Sequence, residues 1–290
     1  MTKALSIALL CIFTVSAIAQ KTPPAKKSAG GAKTASKPVK KLPAPTPEPT
    51  PDPEADRKRF DAAVAAPSNA EKAALLRAFL DEFADSELRT EAVEYLVTSR
   101  AVVGSEKLQA SDIEGGIASF RLAIEEAPTP TPDRLFDDVI AKIPASLFYQ
   151  GHRAQAMELA ASIEKKYAGN VKRMLGVAAF YLSVENGSEA KRVADAAIVV
   201  DPTSAASYQA LGLAHRLNFD LDESAKAYAK AIELDPTSAP AKRSLAEMKR
   251  ATGKPNEAAA IYRELLAVNA GDAMARNGLV LSMFDGGHRT

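Results

Sequence analysis

The sequence predicts an all-α protein, an α-solenoid of stacked helix–turn–helix units. Three observations predict it. Residues 205–238 carry apolar and small side chains at helical spacing: Tyr208, Leu211, Gly212 and His215 fall at i, i+3, i+4 and i+7, and Ala225, Tyr228, Ala231, Ile232 and Leu234 mark a second helix. That second helix stops at Asp235-Pro236, because proline has no amide hydrogen to donate and drives the residue before it out of the helical region. The pattern then recurs at a 34-residue step. One step forward gives Leu245, Ala246, Tyr262, Leu265 and Ala270; one step back gives Val177, Ala178, Ala194, Ala197 and Pro202. A further step back gives Ile143, Pro144, Ala160, Ile163 and Ala168. Asp201-Pro202-Thr203-Ser204 returns as Asp235-Pro236-Thr237-Ser238.

The Leu211-Gly212 pair, the aromatic Tyr228, the small Ala231 and the closing Pro236 resemble the tetratricopeptide repeat, a helix–turn–helix of the same length. Tyr208 stands where that family often has tryptophan, and His215 where it usually has tyrosine. The resemblance implies a right-handed superhelix whose inner groove, lined by first-helix side chains, takes a protein or peptide partner without a cofactor. Phe79 to Ser86 resembles the helix end of exported bacterial envelope members of the family, with Ala84 in place of their proline, and Tyr167-Ala168-Gly169-Asn170 echoes it.

Residues 1–19 read as a signal peptide: Lys3, then the apolar run Ala4 to Ala19, then Ala17-Ile18-Ala19 before Gln20. The run falls short of the roughly 20 residues that span a bilayer. Cleavage near Ala19-Gln20 would place the chain in the periplasm or cell envelope; the alternative is an N-terminal membrane anchor. Cys11 is the only cysteine, so the cleaved chain would hold no disulfide and no thiol chemistry. Residues 20–56 read as a disordered Lys/Pro-rich linker, with nine of the chain's 18 prolines. Its first part, 20–41, holds seven lysines and no acid, and 42–56 holds four acids and no base. The basic part is expected either to touch an anionic wall or membrane polymer or to act as a spacer. Lysines without interleaved aromatics offer no stacking platform for bases, so no nucleic acid is expected.

Residues 57–134 read as degenerate N-terminal repeats. A helix from Arg57 to Ala66 should stop before Pro67, and Ser68 or Asn69 should cap the next, Ala70 to Phe83. Residues 88–127 form the following pair, with Ile117, Phe120, Ala123 and Ile124 as an inner face. Pro128 lies 108 residues before Pro236, six more than three periods, which makes Thr129 to Arg134 an inserted loop. Stacking through that loop and a hinge at it both fit the sequence. Regular repeats follow over 135–290, ending in a lone helix, Asp272 to Phe284. Its apolar residues Met274, Leu281 and Phe284, with Leu279, Val280 and Met283, spread more widely than a cap needs. They mark either an imperfect cap or a contact face for a partner or a second copy, as in a homodimer.

Catalytic constellations are not found. His152, His215 and His288 lie far apart without a carboxylate at metal-ligand spacing, and no phosphate-cradling loop, HExxH or GxSxG occurs. Asn186-Gly187-Ser188 matches a glycosylation sequon but reads more simply as an inter-helix turn. The net charge of +1 does not name a partner. Groove candidates are first-helix residues off the core face: Gln209, Arg216, Arg243, Glu247, Arg250 and Asn277. Arg216 and Arg250 stand one period apart and either offer forked donors to the carboxylates of an extended peptide or are ordinary surface charges. The lysine-and-asparagine clamp of chaperone-binding members is replaced by Leu175 and Ala179 in one repeat and by Gln209 and Leu213 in the next. Leu211 is expected in the core, with Leu211→Ala costing about 2–5 kcal/mol. The reading is a non-enzymatic scaffold binding a partner through its groove; the alternative is a tether in which the basic segment binds polymer and the repeats are spacer.

Overall fold

The computed structural model describes residues 53–287. The expected signal peptide, and the linker as far as residue 52, lie outside the described residues. The described elements are fourteen α-helices and one 3-10 helix, with no strand among them.

Helix α1 (Pro53–Val64) begins inside the expected linker, which moves the 56/57 boundary back by four residues. The reason is local. A proline as first helical residue lacks only an amide hydrogen that the first turn leaves unbonded, and Glu54 and Asp56 sit at the positive end of the helix dipole. Helix α2 (Asn69–Glu82) is capped by Ser68, whose Oγ accepts from the Glu71 amide at 3.2 Å. Helices α3 (Arg89–Gln109) and α4 (Ile113–Glu126) form the next hairpin.

The following first helix is not the single element the period predicts. It is divided into α5 (Asp133–Asp138), a 3-10 turn (Ile140–Lys142) and α6 (Ile143–Tyr149). Pro144 cannot donate to the Ile140 carbonyl, which instead receives the Ile143 amide in the tighter 3-10 pattern. The regular array is therefore shorter than 135–290, and begins at α7 (Arg153–Lys166).

From there the order is α8 (Val171–Ser183), α9 (Gly187–Val200), α10 (Ala205–Leu217), α11 (Leu221–Leu234), α12 (Ala239–Ala251), α13 (Pro255–Val268) and α14 (Ala273–Asp285). Helices α8, α10, α12 and α14 start 34 residues apart, as do α7, α9, α11 and α13. Helix α4 starts 40 residues before α7, the period plus the six inserted residues. Asn170, Ser204, Ser238 and Asp272 each cap a first helix by accepting the backbone amide three residues on. In the repeated Asp-Pro-Thr-Ser, Asp235 accepts from the amide and hydroxyl of Thr237 while Ser238 caps α12. Asn186 likewise caps α9 at the Asn-Gly turn.

Each hairpin packs on the next, and first helices also meet directly, α8 with α10 and α12 with α14. The close approach falls on glycine. A Cβ on Gly212 would lie 2.9 Å from ring atoms of Tyr228, and one on Gly278 would lie 2.2 Å from the Tyr262 ring. In α10 the covered positions are Ser207, Gly212, Ala214 and His215, whereas Leu211 is half-buried, as is Leu245 one repeat on. Leu211 is therefore not a full core residue; its neighbour Gly212 takes the buried contact and Leu211 lies about 100° round the helix from it.

One continuous buried cluster runs from Val97 to Ala214 and includes Ala127 on one side of the inserted loop and Leu135 and Phe136 on the other. Arg173 of α8, 4% exposed, donates to the Thr131 carbonyl at 2.9 Å and pairs with Asp133 and Asp137. Tyr167 and Thr131 share a hydroxyl contact of 2.8 Å. The core thus passes through the junction and the loop is strapped to α8, which decides for stacking over a hinge. Smaller clusters lie around Phe60, Leu76 and Phe79 and around Ala246, Tyr262 and Leu265. No helix among the described residues is long and apolar enough to cross a membrane.

Candidate partner-binding face

The first helices place side chains in columns, because a 34-residue step returns each helix to the same rotation. On α8 one such row is Leu175, Ala179 and Leu182; on α10 it is Gln209, Leu213 and Arg216. On α12 it is Arg243, Glu247 and Arg250, and on α14 it is Asn277, Leu281 and Phe284. Every one of these side chains is half-buried or exposed. The face therefore runs from an apolar end on α8, through a mixed row and a charged row, to a largely apolar end on α14.

The polar members are not equivalent. Gln209 donates to the Ser238 hydroxyl at 3.3 Å, and Arg243 pairs with Asp272 at 2.7 Å, so both tie one first helix to the next. Backbone donation from Ala275, then the Arg243 guanidinium, holds the Asp272 carboxyl below the usual carboxylate range. Arg250 binds Glu247 on its own helix and Asp285 on α14, each at 2.7 Å, and these bonds push its guanidinium further up. Its fork is engaged within the protein and is not open to a ligand as it stands. Arg216 is exposed and makes no ion pair among the described residues, so the two arginines one period apart play different parts.

On α14, Asn277 is exposed, as are Met274, Leu281 and Phe284. The sequence reading named these residues but missed the apolar partners at the other end, Leu175, Leu182 and Leu213; the same 34-residue columns that found Arg216 contain them. An open cleft of about 490 Å³ lies elsewhere, lined by Ala161, Glu164, Lys165, Met174, Arg192 and Val200. His215 is buried, its Nδ1 3.4 Å from Asp220 Oδ2. Among the described residues no group of three or more His, Cys, Asp or Glu side chains comes together as a metal site would require.

Helical hairpins repeated at a constant step, with one row of helices presenting a graded face, define an α-solenoid repeat protein. Residues 205–238 match the family model of the tetratricopeptide repeat, and the chain is a tetratricopeptide-repeat protein. No curated protein matches the sequence. Among solved structures it is similar to a thermophilic TPR protein from Thermus thermophilus, at 18% identity over 65% of this chain and 99% of that one, with a TM-score of 0.44. It is also similar to MamA from Desulfovibrio magneticus, at 16% identity over 61% and 97%, TM-score 0.43. A third is the C-terminal part of a TPR repeat-containing protein from Cytophaga hutchinsonii, at 13% identity over 82% and 87%, TM-score 0.49.

Proposed function

We propose that the chain is a non-enzymatic scaffold of a bacterial cell envelope that binds an extended segment of a protein partner across the face of α8, α10, α12 and α14. The observation that carries this reading is Arg216, an exposed guanidinium without an ion pair among the described residues, standing beside the half-buried Leu182 and Leu213 columns. Elsewhere on the face the arginines are occupied by carboxylates of the chain itself. A free fork between apolar columns suits a segment with one carboxylate flanked by apolar side chains. Export is supported by the Ala17-Ile18-Ala19 pattern after an apolar run.

The test is cross-linked co-purification from native envelopes with the full chain, a form lacking residues 21–55, and Arg216→Ala. Recovery of the same protein by both forms, weakened by Arg216→Ala, supports the scaffold. Retention of the full chain alone, on wall or lipid polymer, assigns the function to the basic 20–41 segment and makes the repeats a spacer.

A further inference from the structure

Helix α14 is a first helix that no second helix follows among the described residues. On the preceding first helices the position facing their own second helix holds a small residue: Ala178, Gly212 and Ala246 are all buried, Gly212 against the Tyr228 ring. The next member of that column is Val280, which is 62% exposed. Around it, at about 100° per residue, Ala273, Arg276, Asn277 and Phe284 all fall within about 60° on the wheel. All four are exposed, Phe284 at 67%. The face that the stack covers in every other regular repeat is thus bare here, and the buried side of α14, with Ala275, Gly278 and Ser282, points the other way.

We propose that this face is covered by the same face of a second copy, with two α14 helices packed antiparallel about a twofold axis at Val280. The contact continues the helix-on-helix interface by which the array is already built. What selects a second copy is self-complementarity. Antiparallel packing centred on Val280 brings together residues equidistant from it, so Phe284 of each copy meets Arg276 of the other. Arg276 donates to the Ala270 carbonyl at 2.9 Å and has no carboxylate partner among the described residues. Its guanidinium can therefore lie over the Phe284 ring at the rim, twice per dimer, without burying an unpaired charge. Helix α14 carries only Arg276 and Asp285 as charged residues, and Asp285 is already bound to Arg250, so two copies do not repel.

Sedimentation velocity of the full chain across micromolar concentrations tests this. A dimer mass is expected, with Val280→Glu and Arg276→Glu monomeric at unchanged circular dichroism and Arg216→Ala still dimeric. In a Cys11→Ser background, oxidised Val280→Cys should link copy to copy, since a disulfide needs Cβ atoms about 4 Å apart, whereas Ala273→Cys, two turns from the axis, should not. A monomer at every concentration overturns the proposal. So does a dimer that Val280→Glu leaves intact, or Ala273→Cys linking as readily as Val280→Cys.

Discussion

The guanidinium of Arg173 lies 4.4 Å from the centre of the Phe136 ring, its other side bound to the Thr131 carbonyl and to Asp133 and Asp137. One buried cation therefore joins the inserted loop, the broken first helix and the first regular repeat. Both carboxylates remain half exposed, so the gain comes from charge-assisted bonds and ring contact rather than from a sequestered ion pair.

Arg173→Met should lower stability by about 2–3 kcal/mol through the lost charged hydrogen bonds. Arg173→Lys should not restore it, because an ammonium cannot reproduce the planar fork or stack on the ring. Urea unfolding checks the first point, and protease cleavage within 128–134 should accelerate in both variants. An unmoved urea midpoint for Arg173→Met would show that the strap contributes nothing.

Phe219 holds φ of 63° in the turn after α10, where Gly151, Gly253 and Gly287 stand in other repeats, and its side chain is 87% exposed. A left-handed conformation costs an L-residue about 1–2 kcal/mol, and no burial offsets it here. Phe219→Gly should accordingly stabilise the fold by about 1 kcal/mol, while Phe219→Ala, which keeps the strain, should not. Thermal midpoints of the two variants compare directly.

Leu159 is fully buried and Leu211 only partly. Leu159→Ala should cost about 2–5 kcal/mol as a closed cavity. Leu211→Ala should cost about 1–2 kcal/mol, since its site is half open to water already. Equal losses in urea unfolding would place Leu211 in the core after all.

The Asp201 and Asp235 carboxyls are each held below the usual carboxylate range, first by a threonine hydroxyl and then by that threonine's amide. A folded pKa below the unfolded value of about 4 means the stabilisation is complete above that pH and is lost as pH falls through the folded value. Urea midpoints should then show no contribution from these groups to pH dependence between about pH 7 and 5, and a decline below about pH 4. Asp201→Asn with Asp235→Asn should flatten that decline; an unchanged acid limb would assign it to other carboxylates.

Much of the architecture can be read before any coordinates. The helix starts, the Ser204 and Ser238 caps, the Asp-Pro stops and the six extra residues near Pro128 are local facts. Each depends on one residue's backbone chemistry or on counting along a single period, and each is found where counting places it. Arg216 is legible in the same way, as a member of a column.

Other features belong to the tertiary structure alone. Periodicity states which residues share a helix face; it does not state how far that helix is rotated toward its neighbours, so Leu211 and Gly212 could not be ranked by burial. Nor does it reveal a bond between distant elements. Arg250 meets Asp285, Arg173 meets Asp133, and the Ile140 carbonyl takes a 3-10 bond, because helices from different repeats come together at particular distances and angles. The sequence by itself determined the repeat, its spacing and its caps, since these follow from local backbone preference. Only the packed array decided which charges are engaged and which face of α14 stays bare, because both depend on what lies across the interface.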